Sequence, residues 1–276
     1  MKHVFIFDPK SFREQPWKMD NALDAIGQYF CNNKNPDFSV LISRYRRHAI
    51  FLIQKEIEEA GEGNALRVYA AGGNDILYDC LNGIAGLSGV ELAFMPFNAS
   101  NDFYKFFGGV QKETFRDISS LAGAPAARMD MIAAGSSYAL NTCFVGLPSV
   151  VKNKFSKQIT FQRYKITIDG NDYSGNYSLI NIANGPYYAG RKTAAAHALP
   201  DDGLLDVALI TSAGPLKTLR SIRMYYNGKR PGNCILLQAK KISVQSDDPM
   251  WLQIDGEFSR NNNITFEVGA VNIVTA

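Results

Sequence analysis

Along residues 1–110 the apolar positions alternate between short solid runs and a helical period. Val4–Phe7 is a four-residue apolar run closed by Asp8-Pro9. From Asn21 to Phe30, residues Ala22, Leu23, Ile26, Tyr29 and Phe30 fall on one helical face. Phe38–Ile42 reads as a second strand, and Arg47 to Ala60 as a helix with Ile50, Ile53 and Ile57 in register, stopped by Gly61. Leu66–Ala71 follows as a strand, Ile76–Ile84 as a helix, and Glu91–Phe97 as a fourth strand ahead of a short helix from Asp102. Strands alternating with helices predict a parallel sheet with helices packed on it.

The second half has a different rhythm. Phe161–Ile168 alternates polar with apolar, Asp169-Gly170-Asn171-Asp172 supplies a turn, and Tyr177–Ile182 alternates back, the pattern of a hairpin. Leu204–Ile210, Lys241–Gln245, Trp251–Ile254, Asn263–Val268 and Val271–Val274 read as further short strands. One helix interrupts them, opened by Pro215, with Leu216, Leu219 and Ile222 on one side and Lys217, Arg220 and Arg223 beside them. The expectation is an α/β domain followed by a mostly antiparallel one, with no internal repeat or linker and the boundary between 110 and 125.

Composition narrows the class. The chain has 276 residues, 46% apolar and 20% charged, which excludes a disordered or fibrous protein. A net charge of +3 gives no argument for nucleic acid. Its distribution is uneven: residues 1–115 sum to −2 and residues 116–276 to +5. A positive second half suits an anionic membrane surface or a phosphate-bearing ligand, or is an ordinary solvated face. The four cysteines (Cys31, Cys80, Cys143 and Cys234) have no metal-site or redox spacing. The apolar run at the start is too short for a signal peptide, and Met131 to Val151, the longest uncharged stretch, is too polar for a span. The expected location is cytoplasmic.

Ligands of open parallel sheets bind beyond the carboxyl ends of the strands. Three segments fall there: Asp8-Pro9-Lys10-Ser11, Gly72-Gly73-Asn74-Asp75-Ile76, and Pro96 through Ala99 to Asn101-Asp102-Phe103. A Gly-Gly turn entering a helix lets main-chain N–H groups approach a phosphate, although such a pair is also common in plain tight turns, and Asn101-Asp102 also suits a plain helix cap. Further on stand Asp201-Asp202-Gly203-Leu204-Leu205-Asp206 and Asp255-Gly256-Glu257. In this order the segments resemble the diacylglycerol kinase catalytic-domain family, bacterial lipid kinases related to sphingosine and ceramide kinases, across essentially the whole chain.

The resemblance implies a Rossmann-like, nucleotide-binding domain over residues 1–118 and a lipid-binding β-sandwich over 119–276, with the active site in the cleft between them. It implies transfer of the ATP γ-phosphate to a lipid hydroxyl, with magnesium, a peripheral place at the inner membrane face, and a homodimer. By position, Asp8, Ser43, Gly72, Gly73, Asn74, Asp75, Ile76, Leu77, Ala99, Asn101 and Asp102 correspond to the nucleotide site. Glu257 takes the catalytic acidic position, with Asp255 beside it. The carbonyls of Leu199 and Leu204 and the Asp202 carboxylate match the magnesium loop, a hard-oxygen set. The helix cations with Lys229 and Arg230 then face anionic headgroups or plain solvent. The family's Gly-Gly-Asp-Gly-Thr is Gly72-Gly73-Asn74-Asp75-Ile76 here, its later Gly-Thr is Asn98-Ala99, and Phe12 replaces a glycine. These changes keep open an alternative, a catalytically silent relative that binds lipid or a protein. An NAD kinase-like enzyme is a third reading, which Asn101-Asp102-Phe103 and Asp-Gly-Glu fit less well. His3, His48 and His197 form no catalytic or metal set.

Overall fold

The computed structural model describes residues 1–275 except 34–36, 62, 98–101, 109–111, 147–161, 189–191 and 194, with the backbone alone at 192–193. Two compact units are present, Met1–Met129 with Ala270–Ala276, and Asp130–Gly269.

Unit 1 holds β1 (Lys2–Phe7), α1 (Trp17–Asn32), β2 (Phe38–Ile42), α2 (His48–Ala60), β3 (Leu66–Gly72), α3 (Asn74–Ile84), β4 (Val90–Pro96), α4 (Ile118–Gly123) and the first residues of β5 (Ala126–Ala134). β1 pairs in parallel with both β2 and β3, and β3 with β4. The end of the chain adds a further parallel partner, Asn272 beside Glu91 and Ile273 beside Leu92. β3 is buried along its whole length, the solid apolar run expected of a strand covered on both faces. Its core packs Phe5, Phe7, Ile26, Phe30, Tyr69 and Phe115, with Phe5 stacked on Tyr69 at 4.1 Å. Arg67 is buried in this unit and carries its own compensation, pairing with Glu91 at 2.7 Å and donating to the Leu121 and Ala122 carbonyls.

Unit 2 continues with β6 (Ser137–Ala139), β7 (Thr142–Gly146), β8 (Gln162–Ile168), β9 (Asn171–Asp172), β10 (Gly175–Ala183), β11 (Tyr187–Tyr188) and β12 (Lys192–Thr193). It closes with β13 (Leu205–Thr211), α5 (Pro215–Tyr226), β14 (Cys234–Ala239), β15 (Lys241–Ile254) and β16 (Glu257–Val274), whose last residues return to unit 1. Its main sheet is antiparallel, ordered β14-β13-β10-β7-β15-β16, with β8 pairing both β10 and β15. Phe144, Leu179, Ala208 and Ile210 form a core with Ile222, Tyr225 and Tyr226 of α5. Most pairings of the described residues are antiparallel; the parallel ones join β1, β2, β3, β4 and the chain's last residues.

Several elements depart from the sequence pattern. α1 starts at Trp17, before Asn21, and α3 at Asn74, directly after the glycine pair. The short helix after Asp102 is a 3-10 turn, Phe103–Phe107. The two strands expected at 241–254 are one strand with an irregularity between Gln245 and Met250, and the two expected at 263–274 are both parts of β16. Gly269 does not break it: a Cβ there would lie 3.0 Å from Met131 Cε, so the glycine marks close packing. β5, β7 and β14 lie in segments where the sequence reading predicts no strand. No helix among the described residues is long and apolar enough to cross a membrane.

Candidate active site

In unit 1 the parallel register brings the ends of β1, β2, β3 and β4 together. Ser43 donates its N–H to the Phe7 carbonyl (2.8 Å), Asp8 to Ala71 (3.1 Å), and Phe97 to Gly72 (3.0 Å). Asp8 caps its own turn, accepting from Lys10 N–H (3.1 Å) and Ser11 Oγ (2.8 Å). Gly72 sits in this crowd. A Cβ would fall 2.9 Å from Ile76 Cγ2, 3.0 Å from Ser11 Oγ and 3.2 Å from Asp8 Cβ, so only glycine fits. Gly73, in extended conformation, then caps α3 without a side-chain bond, and the first-turn N–H groups and dipole of the helix supply positive potential.

The residues of that turn divide by role. Ile76 and Leu77 are buried, so their side chains belong to the core and only their main chain can meet a ligand. Asp75 is exposed in the first turn. Asn74 is locked to Asp102 reciprocally: its Nδ2 donates to Asp102 Oδ2 and its Oδ1 accepts from Asp102 N–H, both at 3.2 Å. Lys105 Nζ lies 3.3 Å from the other oxygen of this buried carboxylate. Ala99 and Asn101 lie outside the described residues. Phe12, which stands where the family motif has a glycine, is buried and packs at 4.6 Å on Phe97.

One acidic residue here had no sequence signal. Asp79, buried on α3, accepts the Arg47 N–H at 2.8 Å and holds that residue left-handed (φ 64) at the start of α2. Burial raises its carboxyl pKa, and the Arg47 N–H opposes the rise.

In unit 2 the turn from β15 to β16 is built around Asp255. This residue is left-handed (φ 43), and its carboxylate accepts from three successive N–H groups: Leu140 (2.7 Å), Asn141 (3.2 Å) and Thr142 (2.8 Å). Its own N–H returns to the Thr142 carbonyl at 3.0 Å. Glu257, two residues on, begins β16 opposite Ile254, half-buried with Oε2 shielded from solvent.

The 199–204 turn is tethered to β5. Gly203 (φ 74) donates its N–H to Asp130 Oδ2 at 2.7 Å, and Asp130 N–H donates to the Pro200 carbonyl at 2.6 Å. Asp202 Oδ1 accepts from Leu204 N–H at 3.0 Å, and its Oδ2 from Gln238 at 3.4 Å. Two carbonyls and one carboxylate fit a hard cation such as magnesium in donor type. The described residues contain no group of three or more His, Cys, Asp or Glu that would hold a metal by side chains alone. Beside this turn, burial raises the Asp206 carboxyl pKa.

Asn184 joins the two motifs of unit 2. It is fully buried and donates Nδ2 to the Asp130 and Leu140 carbonyls, both at 2.9 Å, while its N–H bonds the Asn141 carbonyl. One bonded chain therefore runs from Asp255 through residues 140–142, Asn184 and Asp130 to Gly203. Neither Asn184 nor Asp130 stood out in the sequence, because each acts on main-chain atoms remote along the chain.

Residues 154–275 match the family described as YegS C-terminal NAD kinase beta sandwich-like domain. A Staphylococcus aureus (strain MSSA476) protein named "Putative lipid kinase SAS0691" is 27% identical over 236 residues, 75% of this chain and 76% of that one. A crystal structure titled as "a putative diacylglycerol kinase" from Bacillus anthracis str. Sterne covers 100% of this chain and 97% of its own, with TM-score 0.77 and 21% identity. A second, titled as diacylglycerol kinases from the same organism, covers the same shares at TM-score 0.74. These likenesses establish the two-unit fold with its β-rich C-terminal part. Together with the ordered motifs, they bear out the resemblance read from the sequence: the chain is similar to proteins named as lipid kinases and diacylglycerol kinases.

Proposed function

We propose that the chain is a lipid kinase that transfers the γ-phosphoryl group of ATP to a hydroxyl of a diacylglycerol-like lipid. The observation that carries this reading is the Asp255 clamp. Three main-chain N–H groups engage that carboxylate, which leaves it a positioning role and fixes Glu257 at the head of β16. Glu257 is then the general base: it takes the hydroxyl proton as the lipid oxygen bonds to the γ-phosphorus and the bond to the β-phosphate oxygen breaks, releasing ADP. The Gly72-Gly73 turn and the α3 N-terminus receive phosphate oxygens. Magnesium would neutralise phosphate charge, and the Leu199 and Leu204 carbonyls with the Asp202 carboxylate would hold a cation that stiffens the 199–204 turn.

The test is transfer of label from γ-labelled Mg·ATP into a total lipid extract in mixed micelles. A labelled lipid that disappears with Glu257→Gln is the expected result, and it identifies the acceptor. Label persisting in that variant removes Glu257 from the mechanism. A second reading, a catalytically silent lipid- or protein-binding relative, is favoured by one observation: Asn74 and Lys105 already engage both oxygens of Asp102. No label from folded protein, together with no heat of Mg·ATP binding, would establish that reading instead.

A further inference from the structure

We propose that the outward face of α5 docks on an anionic lipid bilayer. Thr218, Ser221, Ile222, Tyr225 and Tyr226 form the buried side of this helix. Directly opposite run Leu216, Leu219, Arg220 and Arg223, spaced i, i+3, i+4, i+7. Leu216 is 85% exposed and Leu219 37%. A helix meant only for water carries polar residues along the middle of that face; here two leucines share it with two arginines, and Lys217 lies at its flank.

The loop after the helix extends the cationic surface. Gly228 N–H bonds the Tyr225 carbonyl (2.9 Å) and Lys229 N–H the Met224 carbonyl (3.0 Å), which folds Lys229 and Arg230 against the end of α5. Ser221 Oγ, bonded to Asn233 Oδ1 at 2.7 Å, pins the far side of the loop. Lys217, Arg220, Arg223, Lys229 and Arg230 are all exposed, and none is ion-paired among the described residues. Residues 207–246 contain seven Lys and Arg and no Asp or Glu, so nothing on the neighbouring sequence neutralises them.

Exposed leucines between cations match the boundary of headgroups and acyl chains, where apolar insertion and charge are met at once. A nucleic-acid backbone would satisfy the charges and leave the leucines in water. The surface stands independently of the phosphoryl-transfer reading, since docking needs neither ATP nor an acceptor hydroxyl.

The test is co-sedimentation of the full chain with vesicles of pure phosphatidylcholine or of phosphatidylcholine mixed with phosphatidylglycerol, without ATP. Binding is expected to the mixed vesicles only, weakening as salt rises. Each cation near such a surface contributes about fivefold, so Lys217→Gln/Arg220→Gln/Arg223→Gln should lower partitioning about 100-fold at low salt. Leu216→Ser/Leu219→Ser, which keeps every charge, should lower it about tenfold. All five side chains are exposed, and unchanged thermal unfolding of the variants confirms intact folds. Equal binding to both vesicle types, or variants that bind like wild type, would overturn the proposal. So would binding to a duplex oligonucleotide through the same cations without binding to vesicles.

Discussion

Asn74 is one atom away from the aspartate of the Gly-Gly-Asp-Gly-Thr motif that this segment resembles, and that atom changes what its neighbour experiences. As an amide it both donates to and accepts from Asp102, whose carboxylate is buried and also touched by Lys105. As a carboxylate it would still accept the Asp102 N–H but would set a second negative charge about 3 Å from the first. Like charges at that distance do not both ionise readily, so the pair would hold a proton at raised pKa. Asn74→Asp should therefore cost about 1–3 kcal/mol in urea unfolding at pH 7.5. Because the folded pKa rises, the deficit is full above it and shrinks as pH falls toward the ordinary carboxylate range. Millimolar magnesium should also reduce it by supplying the missing positive charge. A variant as stable as wild type at pH 7.5 without magnesium would show that the two side chains do not act on each other. The glycine pair next to Asn74 was legible in the sequence because a tight, crowded turn into a helix demands it. The Asn74–Asp102 bond was not, since 28 residues separate two side chains common in any cap.

The same contrast holds for whole elements. β1 and β3 were legible because strands covered on both faces leave a solid apolar run. β14 was not: it has two exposed apolar residues in succession, Ile235 and Leu236, and so lacks a period of two. What β1 conceals within its run is a titrating group. His3 is buried, its Nδ1 2.7 Å from the Tyr69 hydroxyl and its ring 4.9 Å from that of Phe30. Burial first, and then the Arg67 charge, lower its pKa from 6.5 to about 4. The folded strand keeps the ring neutral, whereas the unfolded chain takes up a proton near pH 6.5. This contribution to stability is complete above pH 6.5 and declines as pH falls from there toward 4. Between pH 7 and pH 5 the loss should be on the order of 1 kcal/mol. His3→Gln keeps a polar group facing Tyr69 and cannot titrate, so its unfolding free energy should lack this decline. Asp79, whose pKa is raised, acts in the opposite direction in both proteins, and the difference between wild type and variant isolates His3. Identical pH slopes in the two would assign the effect to another group.

At the scale of the molecule, the chain enters unit 1 at its start and again at its end. β16 runs without interruption from Glu257 to Val274, yet its residues divide at Gly269 and Ala270 between two cores. The strand pattern alone placed Val271–Val274 as one more short strand, since nothing local states which core receives it; that is decided by pairing with β4, some 180 residues earlier. Ile273 lies beside Leu92, and Val274 joins the cluster of Phe5 and Phe7. The stability of unit 1 therefore depends on the last few residues of the chain. Ile273→Ala removes a side chain 2% exposed and should cost about 2–4 kcal/mol, a large share of what an ordinary domain has. Its effect is expected in the core to which Ile273 belongs. Native-state hydrogen exchange should show the amides of β3 and β4 losing protection by that amount while those of β10 and β13 keep theirs. Equal loss in all four strands would mean instead that the continuous β16 makes the two cores unfold as one cooperative unit.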